Sequence, residues 1–188
     1  MPESFRPGRA WLAIRGNSVP DVVARLRLRT VLPANWNAGP TAAAEAGVFV
    51  SPAVDGWIFA TGADLAAADP EGDVVPMLAA ASRGGTAAWF CSAPDADVFG
   101  WALARGGEVV RAYAYSGEHG HVLWIGELTE AERDLGCFVD DPRDRSDDDI
   151  KWWPDAAVVH ALASAWSLAP AAVASRAQAP GVGAVGRL

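Results

Sequence analysis

The sequence predicts an α+β fold: one two-layer domain, with an antiparallel β-sheet of about six or seven strands and helices mainly on one face. Three observations lead there. Short apolar or alternating runs recur between Gly, Pro and Asp turn signals. Two of these runs, DVFGWALAR (Asp97 to Arg105) and EVVRAYAY (Glu108 to Tyr115), flank Gly106-Gly107, a pair that tolerates the positive φ angles of a two-residue hairpin. Capped stretches with helical spacing lie before and after the strands.

Taken in order, RAWLAIR (Arg9 to Arg15) reads as a first strand. Ser18 opens a helix running through Leu28, with Asp21 completing a capping pattern, Pro20 tolerated in the first turn, and Val19, Val22, Val23 and Leu26 as the buried stripe. Leu32 to Gly47 reads as one irregular or broken helix, since Pro40 would interrupt a continuous one, and Gly47 ends it. Val48 to Ser51 and Asp55 to Thr61 form a second hairpin-like pair split by Pro52. Asp73 to Ser82 is helical, with Pro76 near its start and Gly84-Gly85 beyond its end.

Thr86 to Ser92 begins a meander that turns through Pro94-Asp95, continues through the Gly106-Gly107 hairpin and returns along HVLWIGE (His121 to Glu127). If Arg105 faces Glu108, regular pairing sets Leu103 opposite Val110, Trp101 opposite Ala112 and Phe99 opposite Ala114; the next turn sets Ala114 opposite Leu123 and Tyr113 opposite Trp124. An apolar core face then carries Phe99, Trp101, Leu103, Val110, Ala112, Ala114, Leu123 and Ile125. The opposite face carries Arg111, Tyr113, Tyr115 and Trp124 among Val98, Ala102, Val109 and Val122. Large side chains face small ones in this register.

Thr129 caps a short helix to Leu135 with Glu132 three residues on. Pro154 to Ser167 is a late helix burying Val158, Ala161, Leu162 and Trp166, with His160 off the stripe. A helical turn can start at Pro170. Residues 1–170 therefore form the domain, and 171–188, rich in Ala, Gly and Pro, form a largely disordered tail.

Composition excludes several function classes. Hydrophobic residues at 51% and charged ones at 20% describe a globular chain, and 188 residues suit one domain. The net charge of −8 repels a phosphate backbone, and no basic run appears, so nucleic acid is not an expected partner. No 18-residue apolar stretch and no signal-peptide pattern is present, which predicts a cytoplasmic chain without a membrane partner. Cys91 and Cys137 are too few and too widely spaced for a disulfide framework or a zinc site, and they read as free thiols.

Motifs that could carry chemistry fall away one by one. Gly181-x-Gly183-x-x-Gly186 matches the dinucleotide string, but two residues follow it where a helix is needed. Asp140 to Asp149 lacks the glycine a calcium loop needs at its sixth place, where Arg145 stands, and reads as a solvated acidic loop. His119-x-His121 with Glu127 has part of the metal motif of the cupin family, with the Glu out of place and no later His with the flanking Gly and Pro that would complete it. Cys91 falls within a strand and no nucleophile elbow is present. No cofactor and no catalytic residue is predicted.

The face of Arg111, Tyr113, Tyr115 and Trp124 remains. Either a helix covers it, with Arg111 reaching past, or it is a platform whose rings hold apolar side chains while Arg111 takes a carboxylate and a strand edge pairs with backbone. The segments NWNAGPTAAAEAGVFVSPAVDGWIFATG and FGWALARGGEVVRAYAYSGEHGHVLWIGELT resemble a bacterial single-domain family with relatives in clusters making ribosomal peptide natural products. The resemblance covers about residues 9–170 and carries no family site residue; Pro40 and the lack of an aromatic residue at Ala44 to Ala46 depart from the pattern. It implies a non-catalytic accessory role, presenting a precursor peptide to a modifying enzyme. Two alternatives stand beside it: an immunity-type protein whose acidic surface blocks a basic toxin, and a metal enzyme using His119 and His121.

Overall fold

The computed structural model describes residues 8–138, 152–176 and 181–188. Its strands are β1 (Ala10–Arg15), β2 (Arg29–Ala34), β3 (Val48–Val50), β4 (Trp57–Thr61), β5 (Thr86–Ala93), β6 (Val98–Arg105), β7 (Glu108–Ser116), β8 (Gly120–Ile125) and β9 (Gly183–Arg187). Among the described residues they make one nine-stranded sheet in the order β2-β9-β3-β4-β1-β5-β6-β7-β8. Every pairing is antiparallel.

The helices are α1 (Val19–Arg25), α2 (Gly39–Glu45), α3 (Ala63–Ala66), α4 (Val75–Ala81), α5 (Glu130–Asp134), α6 (Ala156–Trp166) and α7 (Pro170–Arg176). They cover both faces of the sheet, which makes three layers where two were expected. The alternation along β1 shows this directly: Ala10, Leu12 and Ile14 join Val22 of α1, Leu65 of α3 and Leu78 of α4 in one apolar cluster. Trp11 and Ala13 point the other way, into a cluster with Val159 and Leu162 of α6 and Val173 of α7. A sheet buried on both faces needs apolar residues at every position of its central strands, and β4 reads WIFAT, all buried.

Local signals explain most boundaries. Ser18 and Asp21 form the capping box of α1, and Thr129 and Glu132 that of α5. Pro40 does not break a helix; it sits in the first turn of α2, where its missing N–H is not needed. Gly39 lets that helix close on the sheet, because a Cβ there would lie 2.1 Å from the Phe49 ring. In α6 the buried residues are Val159, Leu162 and Ala163, with Val158 and Trp166 half-buried, so the stripe is turned by one residue from the one expected. Apolar residues surround most of this helix, and spacing alone does not fix its phase.

Three other corrections concern strands. Arg29–Ala34 is a strand and not part of a helix. Residues 183–187 are not a loose tail: β9 lies inside the sheet between β2 and β3. Its Gly and Ala content answers crowding, since a Cβ on Gly183 would lie 2.1 Å from the Val50 carbonyl oxygen. In the β6–β7 hairpin Arg105 does face Glu108, but Leu103 pairs with Arg111 because Val110 is an extra residue. That bulge reverses the side of everything beyond it. Trp101 therefore faces Tyr113 and Phe99 faces Tyr115, large against large. A second bulge at Val122, with the tighter turn before it, restores the expected Ala114–Leu123 and Tyr113–Trp124 pairs.

Candidate functional site

The two bulges decide where Arg111 goes. With its parity reversed, Arg111 shares a face with Trp101, Leu103 and Tyr113, under α5, and both it and Glu132 are fully buried. Arg111 Nε donates to Glu132 Oε1 at 2.8 Å and Oε2 at 3.1 Å. Nη1 donates to the carbonyls of Ala112 and Ile125, both at 3.1 Å. The guanidinium also lies 4.3 Å from the centre of the Trp124 ring. Glu132 accepts further bonds from Trp101 Nε1 at 2.7 Å, from the Thr129 amide at 2.7 Å and from the Thr129 hydroxyl at 2.8 Å. One carboxylate thus caps α5 and anchors it to the sheet. Arg111 Nη2 is buried with no hydrogen-bond partner.

The aromatic residues close over this pair. The Tyr113 ring lies 4.7 Å from Trp101 and 4.7 Å from Phe138, and its hydroxyl is 2.9 Å from His121 Nδ1. Burial raises the Tyr113 pKa, with Tyr115 adding and Arg111 opposing, so Tyr113 stays a phenol. Trp124 meets Phe138 edge-on at 5.0 Å, and Phe138 meets Trp152 at 4.5 Å. Tyr115 is buried beside His121 and Trp153. The structure therefore gathers all four predicted residues, Arg111, Tyr113, Tyr115 and Trp124, in one cluster, but as the floor of a roofed core and not as an open platform.

Other candidates separate. His121 turns inward to Tyr113, whereas His119 stands in solvent with Nε2 3.9 Å from Glu118. Among the described residues no group of three or more His, Cys, Asp or Glu side chains is placed to hold a metal. Burial pushes Cys91 up to about 11, and burial together with the Glu132 charge pushes Cys137 up to about 12. Neither supplies a thiolate near neutral pH. The acidic stretch from Asp140 to Asp149 lies outside the described residues. Among the described residues no helix is long and apolar enough to cross a membrane.

The open chemistry is at the other end of the sheet. β2 is an outer strand, exposed at every residue except the half-buried Ala34. Leu32 is 65% and Val31 41% exposed, and Val182 and Leu188, at the two ends of the neighbouring β9, are 67% and 41% exposed. The backbone entering this edge is strained twice: Arg27 at φ 56° and Thr30 at φ 52° are both left-handed. Arg27 follows the C-cap Leu26 of α1, the place where helices usually put glycine, and Thr30 is β-branched.

Beside the start of β2 lies a groove of about 580 Å³ between α1, α3 and α4, lined among others by Arg25, Arg27, Arg83, Asp64 and Asp73. Arg25 Nη1 donates to the Arg83 carbonyl. Burial works against the charge of Asp64, but the amides of Gly47 and Leu188 and the Arg187 guanidinium outweigh it and hold its carboxyl below the usual range. Arg29 pairs directly across from Arg187 in the β2–β9 register. Like charges in that position are unfavourable. Arg25 and Arg27 belong to the alternating run Arg25-Leu-Arg27-Leu-Arg29, a local basic signal that sequence reading missed, whereas Arg83, some sixty positions away, joins them only through the packing of α1 against α4.

Comparison of the chain with protein-family models, with curated proteins and with solved structures returned no match.

Proposed function

We propose that this protein is a non-catalytic peptide-binding module that takes an extended segment onto the free edge of β2 and presents it to a separate enzyme. The observation that carries the reading is the edge itself. Among the described residues no strand pairs with the outer side of β2, and two of its apolar side chains face solvent. Proteins ordinarily protect such edges, because an unpaired strand recruits other chains. Here the protection is partial: Pro33 brings no N–H and the strand is irregular between Arg29 and Leu32, while Leu32 and Ala34 keep regular strand backbone. Strand addition takes its affinity from main-chain hydrogen bonds and its specificity from alternate side chains, which suits a ligand that is itself a peptide.

The absence of turnover is part of the proposal. Its support is that the Glu132 carboxylate is taken up by Arg111 Nε, Trp101 Nε1 and Thr129, and that the two thiols are buried and protonated. A precursor peptide awaiting modification is the ligand class assigned here. Selection of a random peptide display library on the folded protein, followed by titration of enriched peptides, tests this. Binding that weakens about tenfold or more in Leu32→Asp, with the peptide mass unchanged, is the expected result. Affinity indifferent to that substitution would move the site elsewhere, and a change in peptide mass would replace a binding module by an enzyme.

A further inference from the structure

We infer that the arginine-lined groove at the start of β2 receives an acidic C-terminal end of the extended peptide, an inference that rests on strand addition at the β2 edge. The direction of the chain makes the connection. Every pairing in this sheet is antiparallel, so a peptide added in the same sense to β2 runs from the Ala34 end toward Arg29. Its C-terminal residues then leave the strand at the Arg29 end, two residues along the chain from Arg27, whose side chain lines the groove.

The groove has the charge for that end. Of its side-chain carboxylates, Asp64 is held by Arg187 at 3.0 Å and Asp73 Oδ2 accepts the Asp69 amide at 2.9 Å, while Leu188, whose amide donates to Asp64, also lines the groove. Arg25 has Asp21 one turn earlier on its own helix. Arg27 and Arg83 have no ion-pair partner among the described residues, and neither has Arg29 at the mouth of the edge. Guanidinium groups match a carboxylate with two parallel N–H donors, and a peptide terminus ending in acidic side chains offers several such acceptors close together. The strained backbone points the same way. Glycine would relieve position 27, yet an arginine occupies it, and retained strain at a surface position marks a side chain whose placement matters. In a chain of net charge −8 the acidic remainder of the surface repels an acidic peptide end, and arginines without an ion-pair partner among the described residues offer it one place to bind.

Fluorescence anisotropy with three labelled probes decides the matter: a Thr-Val repeat peptide ending in Asp-Glu with a free carboxylate, the same repeat ending in Asn-Gln amide, and the repeat with Asp-Glu moved to its start. The acidic C-terminal probe is expected to bind about tenfold or more tightly than either other probe. Arg27→Gln with Arg83→Gln should erase that difference and leave the amide probe unchanged, whereas Leu32→Asp should weaken all three. Both arginines are exposed, and the comparison among probes needs no substitution at all. Equal binding of the three probes, still sensitive to Leu32→Asp, would overturn the carboxylate inference and leave the edge standing. Acid-dependent binding that ignores Leu32→Asp would overturn strand addition and, with it, the inference as stated; no binding of any probe removes both.

Discussion

Arg111 on β7 and Glu132 on α5 form a fully buried ion pair, 2.8 Å from Nε to Oε1, in which the carboxylate is also the capping group of its own helix. Attraction between such charges is offset by the loss of their hydration, so the pair as a whole contributes little net stability. Its effect is on geometry: α5 docks in one register, because only there does Glu132, already held by its own cap Thr129, meet Arg111 and Trp101 together.

Removing either partner should therefore be far worse than removing both. Arg111→Met alone strands a buried carboxylate and is expected to cost about 3–5 kcal/mol. Arg111→Met combined with Glu132→Leu should recover most of that loss, short of the cap lost at Thr129, which is about 1 kcal/mol. Urea unfolding of the two single variants and the double variant checks the sign of the coupling. Additive losses would mean that the charges act independently.

The thiols supply a pH-dependent test. Cys91 and Cys137 are raised to about 11 and about 12 from 9.0, mainly by burial. A raised folded-state value means that stability is fully present below about pH 9 and falls as the pH climbs through the folded values, because the unfolded chain releases its protons first. The urea midpoint at pH 10 should lie below that at pH 7.5, and Cys91→Ala with Cys137→Ala should shrink the difference. Iodoacetamide at pH 8 should leave the folded protein unlabelled and label both thiols in urea. Rapid labelling of the native chain would show a thiolate that the structure does not support.

What the sequence made legible follows from what each signal depends on. Caps and turns are local: Ser18 with Asp21, Thr129 with Glu132, and Gly106-Gly107 each predicted the element they control. The face assignment went astray on parity. A strand with period two keeps no record of an inserted residue, so Val110 moved Arg111, Tyr113 and Tyr115 onto the face of Trp101, and of the two alternatives for these residues the covered one is what the fold shows. Both extra residues, Val110 and Val122, are exposed valines, the one trace left by the bulges. The β2 edge was hidden for another reason. Pro33 argues against a strand anywhere except at an edge, and nothing local declares where the edge is.

β9 is the sharpest case, because its composition resembles a disordered tail while it is paired on both sides within the sheet. A single methyl group distinguishes the two. In a loose tail Gly183→Ala would be harmless or slightly stabilising, since alanine narrows the unfolded ensemble. In the sheet the new Cβ would lie 2.1 Å from the Val50 carbonyl oxygen and 3.1 Å from Pro52 Cδ, atoms of backbone and ring that cannot swing aside. The strands must part instead, at a cost of about 1–3 kcal/mol, the range for overpacking. Among the described residues β2 meets the rest of the sheet only through β9, so the damage should spread outward. Hydrogen exchange of Gly183→Ala is expected to show faster exchange in Leu32 to Ala34 and in Val48 to Val50, with β6 and β7 unaffected. Unchanged protection in both segments would return residues 183–187 to the tail that their composition suggests.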